Sequence, residues 1–292
     1  MRNNSQASEG KRKERGWKMT VMYVILIAAA AAAVLYLLAI KPRLGRQKGW
    51  EPFRGIYYAH RGLHDNGTGA PENSLPAFKK AVKAGYGIEM DVQLTKDNIP
   101  VVFHDFTLER VCGREGKVCE HTYEELREFN LFESGEKIPK LEEVLEAVNG
   151  KVPLIVELKV EWMDLSLCPA VDRMLREYKG LYCIESFNPL VLAWYRRYHN
   201  DVLRGQLSDG FLKSGEFKGF IYVLLQNLLL NWMTKPDFVA YNHKYEKCLS
   251  RRLCRKLYHN LAVAWTIRSS SELAQAVDKF DLFIFDSFTP QI

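Results

Sequence analysis

The most uniform pattern in the chain is an apolar run near the N-terminus. Residues 19–40 are 22 consecutive positions without a charged side chain, bracketed by Lys18 and Lys41. A helix needs roughly 20 apolar residues to cross a bilayer. A cleaved signal peptide is the alternative, but the residues at the end of the run do not suit its small-residue cleavage site. The pattern predicts one transmembrane helix, preceded by a basic tail (1–18) and followed by a basic linker (41–53).

After the linker, short apolar runs typical of strands alternate with longer runs of helical periodicity. The predicted strands are 56–60, 86–91, 101–104, 153–159, 182–187, 202–208, 238–242, 262–267 and 282–286. The predicted helices are 74–84, 122–129, 141–149, 166–178, 189–199, 246–259 and 271–278. This alternation is typical of α/β proteins, which form either a closed βα barrel or an open sheet.

Nine strands are one too many for an eight-stranded barrel, and the spacing of two of them removes one. About ten residues, including the turn 96–98, separate Asp91 from Val101. A connection between parallel neighbours needs roughly a dozen residues or more. Residues 92–104 are therefore predicted to form a hairpin whose returning strand brings His104 beside Glu89 and Asp91. We predict an α/β fold of the TIM barrel type with a small hairpin insertion after the second strand, its chemistry lying at the strand carboxyl ends.

Charge is distributed unevenly along the chain. The first 54 residues hold 11 of the 41 Lys and Arg residues but only 3 of the 35 Asp and Glu residues. The remainder has 30 basic against 32 acidic residues, a net charge of −2. The part after the apolar run therefore lacks the basic balance typical of nucleic-acid-binding proteins, and no such partner is expected.

The side of the membrane follows from the basic residues that flank the apolar run. Six lie before it and four shortly after it. This balance favours a cytoplasmic N-terminus and an extracytoplasmic main domain. The cysteines do not decide the compartment. Cys112 and Cys119 are close enough in sequence to bridge a loop, whereas the other four show no disulfide-framework or metal-ligand spacing.

Candidate chemistry begins at the end of the first predicted strand, with His60, Arg61 and Gly62. His60 is either a catalytic group or a structural hydrogen-bonding residue. The Arg61 guanidinium can bind two phosphate oxygens at once, or it can pair with a neighbouring carboxylate to stabilise the loop. Gly62 permits a sharp turn or the close approach of a ligand.

Acidic residues lie at the ends of two further strands. Glu89 and Asp91 are two positions apart, so their side chains share one face of a strand. Two carboxylates in an apolar barrel mouth repel each other unless a cation lies between them or one is protonated. Glu157 adds a third carboxylate, and Lys159 follows on the same face. All-oxygen ligation indicates Ca²⁺ or Mg²⁺. The alternative is a buried ion pair between Glu157 and Lys159.

Taken together, these motifs closely resemble those of the glycerophosphodiester phosphodiesterase family, within the phosphatidylinositol-phosphodiesterase-like TIM barrels. The motifs that carry the resemblance are, in chain order, His60-Arg61-Gly62, Pro71-Glu72-Asn73, Glu89-x-Asp91, Thr95-Lys96-Asp97, Phe103-His104-Asp105, Val156-Glu157-Leu158-Lys159, Ser186-Phe187, Trp265-Thr266 and Asp286. The resemblance runs from about residue 55 to the C-terminus and identifies 54–292 as the catalytic domain. It implies a TIM barrel with an insertion after the second strand, and divalent-cation-dependent hydrolysis of phosphodiesters.

The resemblance also implies roles for individual residues. Glu89, Asp91 and Glu157 match metal ligands, and His60 and His104 match a general acid and base. A second set matches phosphate-binding and supporting positions. Arg61 and Lys159 bind phosphate in this scheme, while Glu72, Asn73 and Trp265 support the site.

The expected reaction is hydrolysis of a glycerophosphodiester to glycerol 3-phosphate and an alcohol. The two imidazoles can move protons in both directions near neutral pH. Our hypothesis is that the 2-hydroxyl of glycerol attacks first and forms a cyclic phosphate, which water then opens. The alternatives are a lysophospholipase-D-like or phospholipase-C-like enzyme that uses the same site on a lipid, and a membrane-tethered binding module without activity.

A second apolar stretch, 219–232, is unusually rich in large apolar residues for a connection between two strands. It is too short and too polar to span a bilayer. It is either a helix packed on the barrel or an interfacial helix that lies on lipid beside the barrel mouth. The second alternative would suit a lysophospholipid substrate.

Overall fold

The structure is a computed structural model that describes residues 2–45, 47–161, 163–214 and 219–291, with side chains described from residue 14 onward except at 46–48 and 214. The basic side chains predicted in the tail before residue 14, and those of Arg46 and Lys48, lie outside the described part. The first helix, α1, is Arg2–Ile40. Its segment Glu14–Ile40 is the one described helix long and apolar enough to cross a membrane, a test that a signal sequence also passes.

Within the described residues nine strands form a single sheet, and eight of them are parallel. They are β1 Tyr57–His60, β2 Gly87–Leu94, β3 Pro100–Val102, β4 Leu154–Leu158, β5 Tyr182–Ser186, β6 Arg204–Ser208, β7 Phe238–Asn242, β8 Leu261–Ile267 and β9 Leu282–Phe285. The order is β1-β9-β8-β7-β6-β5-β4-β2-β3, and β1 also pairs with β2. Because β1 pairs with both β9 and β2, the eight parallel strands close into a barrel, which confirms the predicted TIM fold.

The remaining helices lie between the strands, mostly on the outside of the barrel. They are α2 Leu75–Ala84, α3 Glu109–Cys112, α4 Tyr123–Leu126, α5 Leu141–Val148, α6 Leu167–Glu177, α7 Pro189–Tyr198, α8 Phe211–Ser214, α9 Phe220–Gln226, α10 Asn231–Thr234, α11 Leu249–Tyr258 and α12 Ser270–Ala276. Three short 3₁₀ helices are Gln47–Phe53, Val118–Glu120 and His243–Tyr245. The predicted helices are all found, whereas α3, α8 and α10 are too short to leave a periodic pattern.

The predicted hairpin is also found. Strand β3 is antiparallel to β2, with Val92 opposite Val102. Beyond the ladder, the Phe103 amide donates to the Asp91 carbonyl at 2.9 Å. This hydrogen bond returns the chain to the barrel mouth and places His104 beside the acidic strand, as the short connection required.

The barrel interior has an apolar end and a charged end. Alternate residues of each strand face the lumen. Toward the amino ends of the strands the lumen is filled by an apolar cluster that includes Tyr58, Ile155 and Phe238. Phe238 lies where a Cβ on Gly205 would be 2.0 Å from its ring, so glycine is required at that position. The next lumen-facing positions on several strands are charged.

The described residues of the linker, 41–45 and 47–53, cross the amino-terminal end of the barrel. The Arg43 amide donates to the Pro236 carbonyl at 3.0 Å. Trp50 is buried against Phe238, with ring centroids 4.9 Å apart, and Phe53 is buried beside it. Trp50 and Phe53 thus close the amino-terminal end of the lumen. The carboxyl-terminal end, where the charged residues lie, remains open.

Candidate active site

The register of the strands brings charged side chains to one end of the lumen. His60 is paired with Glu89 across β1 and β2, and Asp91 with Glu157 across β2 and β4. Glu157 is in turn paired with Glu185 across β4 and β5. All four carboxylates are buried. The predicted convergence of Glu89, Asp91 and Glu157 is therefore what the structure shows, and Glu185 joins it.

The three predicted metal ligands have the geometry of a cation site. Glu89, Asp91 and Glu157 each offer one oxygen, and these oxygens all lie within 4.8 Å of one another. The four lumen carboxylates face two permanently cationic groups, Arg61 and Lys159, which leaves two negative charges uncompensated. One divalent cation would balance them, and an all-oxygen donor set suits Ca²⁺ or Mg²⁺. The residues present thus fit the cation that the family resemblance implies.

Burial and mutual repulsion shift the pKa values of these carboxyl groups. Burial and the neighbouring charges of Asp91, Glu185 and Glu157 raise the pKa of Glu89 well above its ordinary value. Burial also raises the pKa of Glu157, against the opposing charge of Lys159. For Asp91 burial acts in the same direction, but the charges of His104, Lys159 and Arg61 outweigh it and lower the pKa. A cation among the three would relieve the repulsion that Glu89 experiences.

Glu185 forms no ion pair with any residue that the structure describes. It is 1% exposed. Its Oε2 has no hydrogen-bond partner among the described residues. Burial and the charges of Glu157 and Asp91 raise its pKa well above the ordinary value. Replacing this carboxylate by a neutral side chain should therefore remove a burial cost and a charge repulsion that destabilise the metal-free protein.

We expect Glu185→Gln to raise the melting temperature of the chelator-treated protein by about 2–4 °C or more, because about 1 kcal/mol of relieved repulsion shifts Tm by that amount in a domain of this size. The rise in Tm on adding Ca²⁺ should become smaller, because one negative charge near the cation is lost. Thermal unfolding with and without chelator measures both effects, with Glu128→Gln on the exposed surface as the control. A lower Tm in the metal-free variant would show that Glu185 makes a stabilising contact instead.

His60 is held by acidic groups on both sides of its ring. Its Nδ1 lies 3.4 Å from Oδ2 of Asp286, and its Nε2 lies 4.0 Å from Oε2 of Glu89. Asp286 also contacts Nε2 of His64 at 3.3 Å. Burial and the charge of Arg61 lower the pKa of His60 to about 4, although the contact with Asp286 acts in the opposite direction. Asp286 thus orients the His60 ring so that Nε2 faces the carboxylates.

His104 is oriented by a chain of ion pairs that ends at Arg61. Its Nδ1 lies 2.5 Å from Oδ1 of Asp105, which leaves Nε2 for the lumen. Arg110 bridges Asp105 at 2.6 Å and Glu72 at 2.7 Å. Glu72 also accepts a hydrogen bond of 2.7 Å from Arg61 Nη1. Glu72 therefore connects the orientation of His104 to that of Arg61.

The charge of Glu72 should make a pH-dependent contribution to stability. Burial alone would raise its pKa, but hydrogen bonds from Arg110 and the charge of Arg61 lower it from 4.5 to about 2. A lowered folded-state pKa stabilises the protein above the unfolded value, and this contribution is lost as the pH falls through the folded value.

We therefore expect Glu72→Gln to reduce the free energy of unfolding at pH 7 by on the order of 2 kcal/mol, because it removes the carboxylate that pairs with both the largely buried Arg61 and the exposed Arg110. The difference from wild type should shrink between pH 4.5 and about 2. Urea unfolding of both proteins across this range measures it, and Glu146→Gln on an exposed helix face is the control. A difference that does not change with pH would contradict the assignment.

The two predicted phosphate-binding side chains lie beside the carboxylates. Lys159 Nζ is 3.2 Å from Glu157 and 3.5 Å from Asp91. Arg61 Nε is 3.4 Å from Asp91. The ion pairs considered as alternatives for both residues are thus present, and they place Arg61 and Lys159 next to the carboxylates. Asn73 donates a hydrogen bond of 2.9 Å to Asp91 Oδ2, which fixes that carboxylate.

The backbone after β1 makes a tight turn that allows this arrangement. Gly62 has φ of +82°, and a Cβ there would be 2.9 Å from the backbone of Ala77. The turn aims the Arg61 amide at Glu89, with a hydrogen bond of 3.1 Å. The prediction that Gly62 permits a sharp turn is confirmed.

A cavity of about 150 Å³ opens above the carboxylates. His60, His104, Glu89 and Glu157 line its floor, and Phe187 and Trp265 form an aromatic wall with ring centroids 5.5 Å apart. Trp265 Nε1 is buried and has no hydrogen-bond partner within the described chain. All ten predicted site residues lie around this cavity or contact its lining.

Sequence reasoning missed part of the site. Glu185, His64 and Arg110 were not identified, and Asp286 was noted without a role. Glu185 could have been found from the sequence, because it is a charged residue at a lumen-facing position of an otherwise apolar strand. Arg110 had none, because the short helix α3 that carries it has no pattern that predicts its approach to Glu72.

Comparison with known proteins agrees with this geometry. The family model described as the glycerophosphoryl diester phosphodiesterase family matches residues 60–282. Human glycerophosphodiester phosphodiesterase 1 is 33% identical over 198 residues, which cover 60% of this chain and 58% of the relative. The glycerophosphodiester phosphodiesterase of Caldanaerobacter subterraneus is 40% identical over 147 residues, 46% of this chain and 58% of the relative. The chain thus spans about three fifths of the length of these relatives.

Solved structures share the fold. A phosphodiesterase from Oleispira antarctica, in complex with the product sn-glycerol 3-phosphate, superposes with a TM-score of 0.65 at 22% identity, covering 80% of this chain and 93% of the other. The glycerophosphodiester phosphodiesterase of Thermotoga maritima gives 0.60 at 26% identity, covering 79% and 94%. The family match, which covers more than half of the chain, together with a barrel that gathers the family's motif residues, shows that this chain belongs to the glycerophosphoryl diester phosphodiesterase family.

Proposed function

We propose that the protein is a membrane-anchored, divalent-cation-dependent phosphodiesterase that hydrolyses glycerophosphodiesters to glycerol 3-phosphate and an alcohol. The observation that carries this proposal is the convergence of three carboxylates and two imidazoles on one cavity at the carboxyl end of the barrel. Family membership supports the reaction class. The Oleispira relative was solved with sn-glycerol 3-phosphate, the product expected here.

In this proposal Glu89, Asp91 and Glu157 hold the cation, either Ca²⁺ or Mg²⁺. When bound, the cation would neutralise charge on the phosphate oxygens and so make the anionic phosphorus accessible to a nucleophile. Arg61 and Lys159 would add two positive charges on the same phosphate, where charge develops in the transition state. Asn73 and Glu72 would keep Asp91 and Arg61 in position through the hydrogen bonds described above.

The two histidines would move the protons. One imidazole takes a proton from the attacking hydroxyl, while the other donates a proton to the oxygen of the departing alcohol. Both rings use Nδ1 for a carboxylate, Asp286 for His60 and Asp105 for His104, so Nε2 is the nitrogen that reacts in each case. If the glycerol 2-hydroxyl attacks, the first products are the alcohol and a cyclic phosphate. Water then opens the ring with the two proton transfers reversed. Direct entry of solvent ¹⁸O in a single step, with no cyclic species trapped, would contradict this order.

The membrane anchor is part of the proposal. Residues 19–40, within the apolar helix segment Glu14–Ile40, would cross the bilayer, with 1–18 as a basic tail, 41–53 as a basic linker and 54–292 as the catalytic domain. The basic residues before the helix favour a cytoplasmic N-terminus and an extracytoplasmic catalytic domain. Protease protection of each side in sealed membrane vesicles tests this orientation.

The most informative test of the reaction is an assay of the purified full chain against a panel of glycerophosphodiesters and lysophospholipids, with and without chelator. We expect release of glycerol 3-phosphate, its loss on chelation, and recovery with Ca²⁺ or Mg²⁺. No turnover of any diester in the presence of either cation would contradict the proposed function.

A second candidate is a lysophospholipase-D-like or phospholipase-C-like reaction at the same site. The exposed apolar side chains of α9, next to the carboxyl end of the barrel, favour a substrate with an acyl chain. The products distinguish these activities: lysophosphatidic acid for the first and a neutral glyceride for the second.

A further inference from the structure

Helix α1 approaches the barrel from a definite end. The Tyr36 side chain interacts with Ser250 at the start of α11. Four residues later, the Ile40 carbonyl accepts from Cys254 Sγ at 3.4 Å. Both helices advance by four residues between these contacts, so from Tyr36 to Ile40 helix α1 runs in the same direction as the first part of α11. The Tyr258 hydroxyl, on a side chain that extends back toward the start of α11, donates to the Leu37 carbonyl at 2.8 Å.

The direction of α11 relates this packing to the active site. Helix α11 begins after the carboxyl end of β7 and ends before β8, so it runs from the catalytic end of the barrel to the opposite end. The chain after Ile40 continues the same way, since Arg43 bonds to Pro236, which precedes β7. The part of α1 before Tyr36 therefore extends beyond the catalytic end.

That part of α1 contains residues 19–35 of the proposed membrane span 19–40, whereas Ile40 at the end of the span is buried against the domain. Residues 19–35 amount to roughly 25 Å of helix at 1.5 Å per residue. They are almost entirely exposed in the structure. A bilayer around this segment must lie on the side of the barrel where the strands end and the cavity opens.

Exposed apolar side chains lie at the same end. Helix α9, all of whose residues are described, buries none of them, and Phe220 is 75% exposed and Ile221 49%. The helix sits over the ends of β6 and β7, because Ser208 donates to the Leu225 carbonyl at 2.9 Å and Tyr241 to the Gln226 carbonyl at 3.0 Å. We call the exposed side chains Leu212, Phe220, Ile221 and Leu249 the apolar rim.

Exposure alone does not select an end of the barrel, since Leu181 at the opposite end is 45% exposed. The direction of α1 indicates which end of the barrel faces the membrane. The rim lies on the membrane side, whereas Leu181 lies on the far side. Lys213 and Lys244 follow the carboxyl ends of β6 and β7 and so lie at the same end as the rim, and cations beside apolar side chains suit a surface of anionic lipid.

We propose that the catalytic mouth faces the bilayer from which the protein is suspended, and that α9 inserts its apolar rim into the lipid interface as a second contact beside α1. This inference rests on the proposed membrane anchor. It gives the active site direct access to phosphodiesters held in the membrane surface, and it does not depend on which of them is hydrolysed.

Photo-crosslinking to lipid tests the orientation without using activity. The full chain is placed in nanodiscs of phosphatidylcholine and phosphatidylglycerol, with p-benzoylphenylalanine at Phe220, at Leu181 or at Val24, and lipid adducts are measured by intact mass. We expect adducts at Val24 and Phe220, and several-fold less at Leu181. Adducts at Val24 with none at Phe220, or equal adducts at Phe220 and Leu181, would overturn the orientation but not the anchor. No adduct at Val24 would overturn the anchor, and the orientation with it.

A kinetic comparison gives an independent readout. The double variant Phe220→Ser, Ile221→Ser should raise KM for a lysophospholipid in vesicles by about tenfold, because the lost burial of apolar surface weakens interfacial binding. Hydrolysis of a water-soluble glycerophosphodiester should stay unchanged, and Leu181→Ser should alter neither. An unchanged KM for the vesicle substrate, or equal losses on both substrates, would contradict the role of α9.

Discussion

Replacing either His60 or His104 by alanine should lower kcat for glycerophosphodiester hydrolysis by about 10²–10⁴-fold, the range typical of a lost general acid or base. KM should change much less, because neither imidazole is among the groups proposed to hold the cation or the phosphate. Both rings line the cavity, and each has its Nδ1 fixed by a carboxylate. A steady-state assay of the purified variants measures the effect.

A substrate with an activated leaving group separates the two roles. p-Nitrophenolate leaves without a proton, so the variant that lacks the acid should regain much of its activity on a glycerophospho-p-nitrophenyl ester, whereas the variant that lacks the base should not. His259→Asn, exposed beyond the end of α11, is the control, since asparagine tolerates the left-handed backbone found there. Near wild-type turnover in both alanine variants would contradict the acid–base assignment.

Replacing Asp91 by asparagine should abolish cation-dependent activity, with a loss on the order of 10³-fold. The change preserves shape but removes one cation ligand and one of the two carboxylates that pair with each of Lys159 and Arg61. The positive charges of Lys159 and Arg61 then face less negative charge, so the site attracts a divalent cation more weakly. Activity measured over a range of Ca²⁺ and Mg²⁺ concentrations tests this, with Asp278→Asn on the surface as the control.

The dependence of the residual activity of Asp91→Asn on cation concentration shows whether Asp91 is a ligand. If Asp91 is a ligand, the residual activity of Asp91→Asn should rise with cation concentration well beyond the range that saturates the wild type. If Asp91→Asn were as active as the wild type, and chelator did not lower its activity, a role for the cation in the reaction would be contradicted.

The sequence predicted the barrel because several simple rules agree. The strand count and the short connection after Asp91 together required a hairpin, and the structure has it. Placement of Glu89 and Asp91 followed from the two-residue period of a strand. The partner strands could be anticipated because parallel strands of a barrel end together, which brought Glu157 to the same level.

What the sequence could not supply is the set of contacts between distant segments. Asp286 reaches His60 across 226 positions of the chain, and Arg110 reaches Glu72 from a four-residue helix. No local periodicity encodes such pairs. The apolar stretch 219–232 was ambiguous for a related reason, since its composition suits both a packed and an interfacial helix. In the structure Leu228 is buried while Phe220 is exposed, so the stretch contains both behaviours. The spacing of Cys112 and Cys119 permitted a bridge, but both are free in the described chain.

The direct test of the central claim is to locate the cation. Two groups of described residues could hold one: Glu89 with Asp91 and Glu157, and His60 with His64 and Asp286. Crystals soaked in Mn²⁺, which scatters anomalously and accepts oxygen ligands, would distinguish them. We predict an anomalous peak within bonding distance of all three carboxylates of the first group. A peak at the second group alone, or none near the first, would contradict the account.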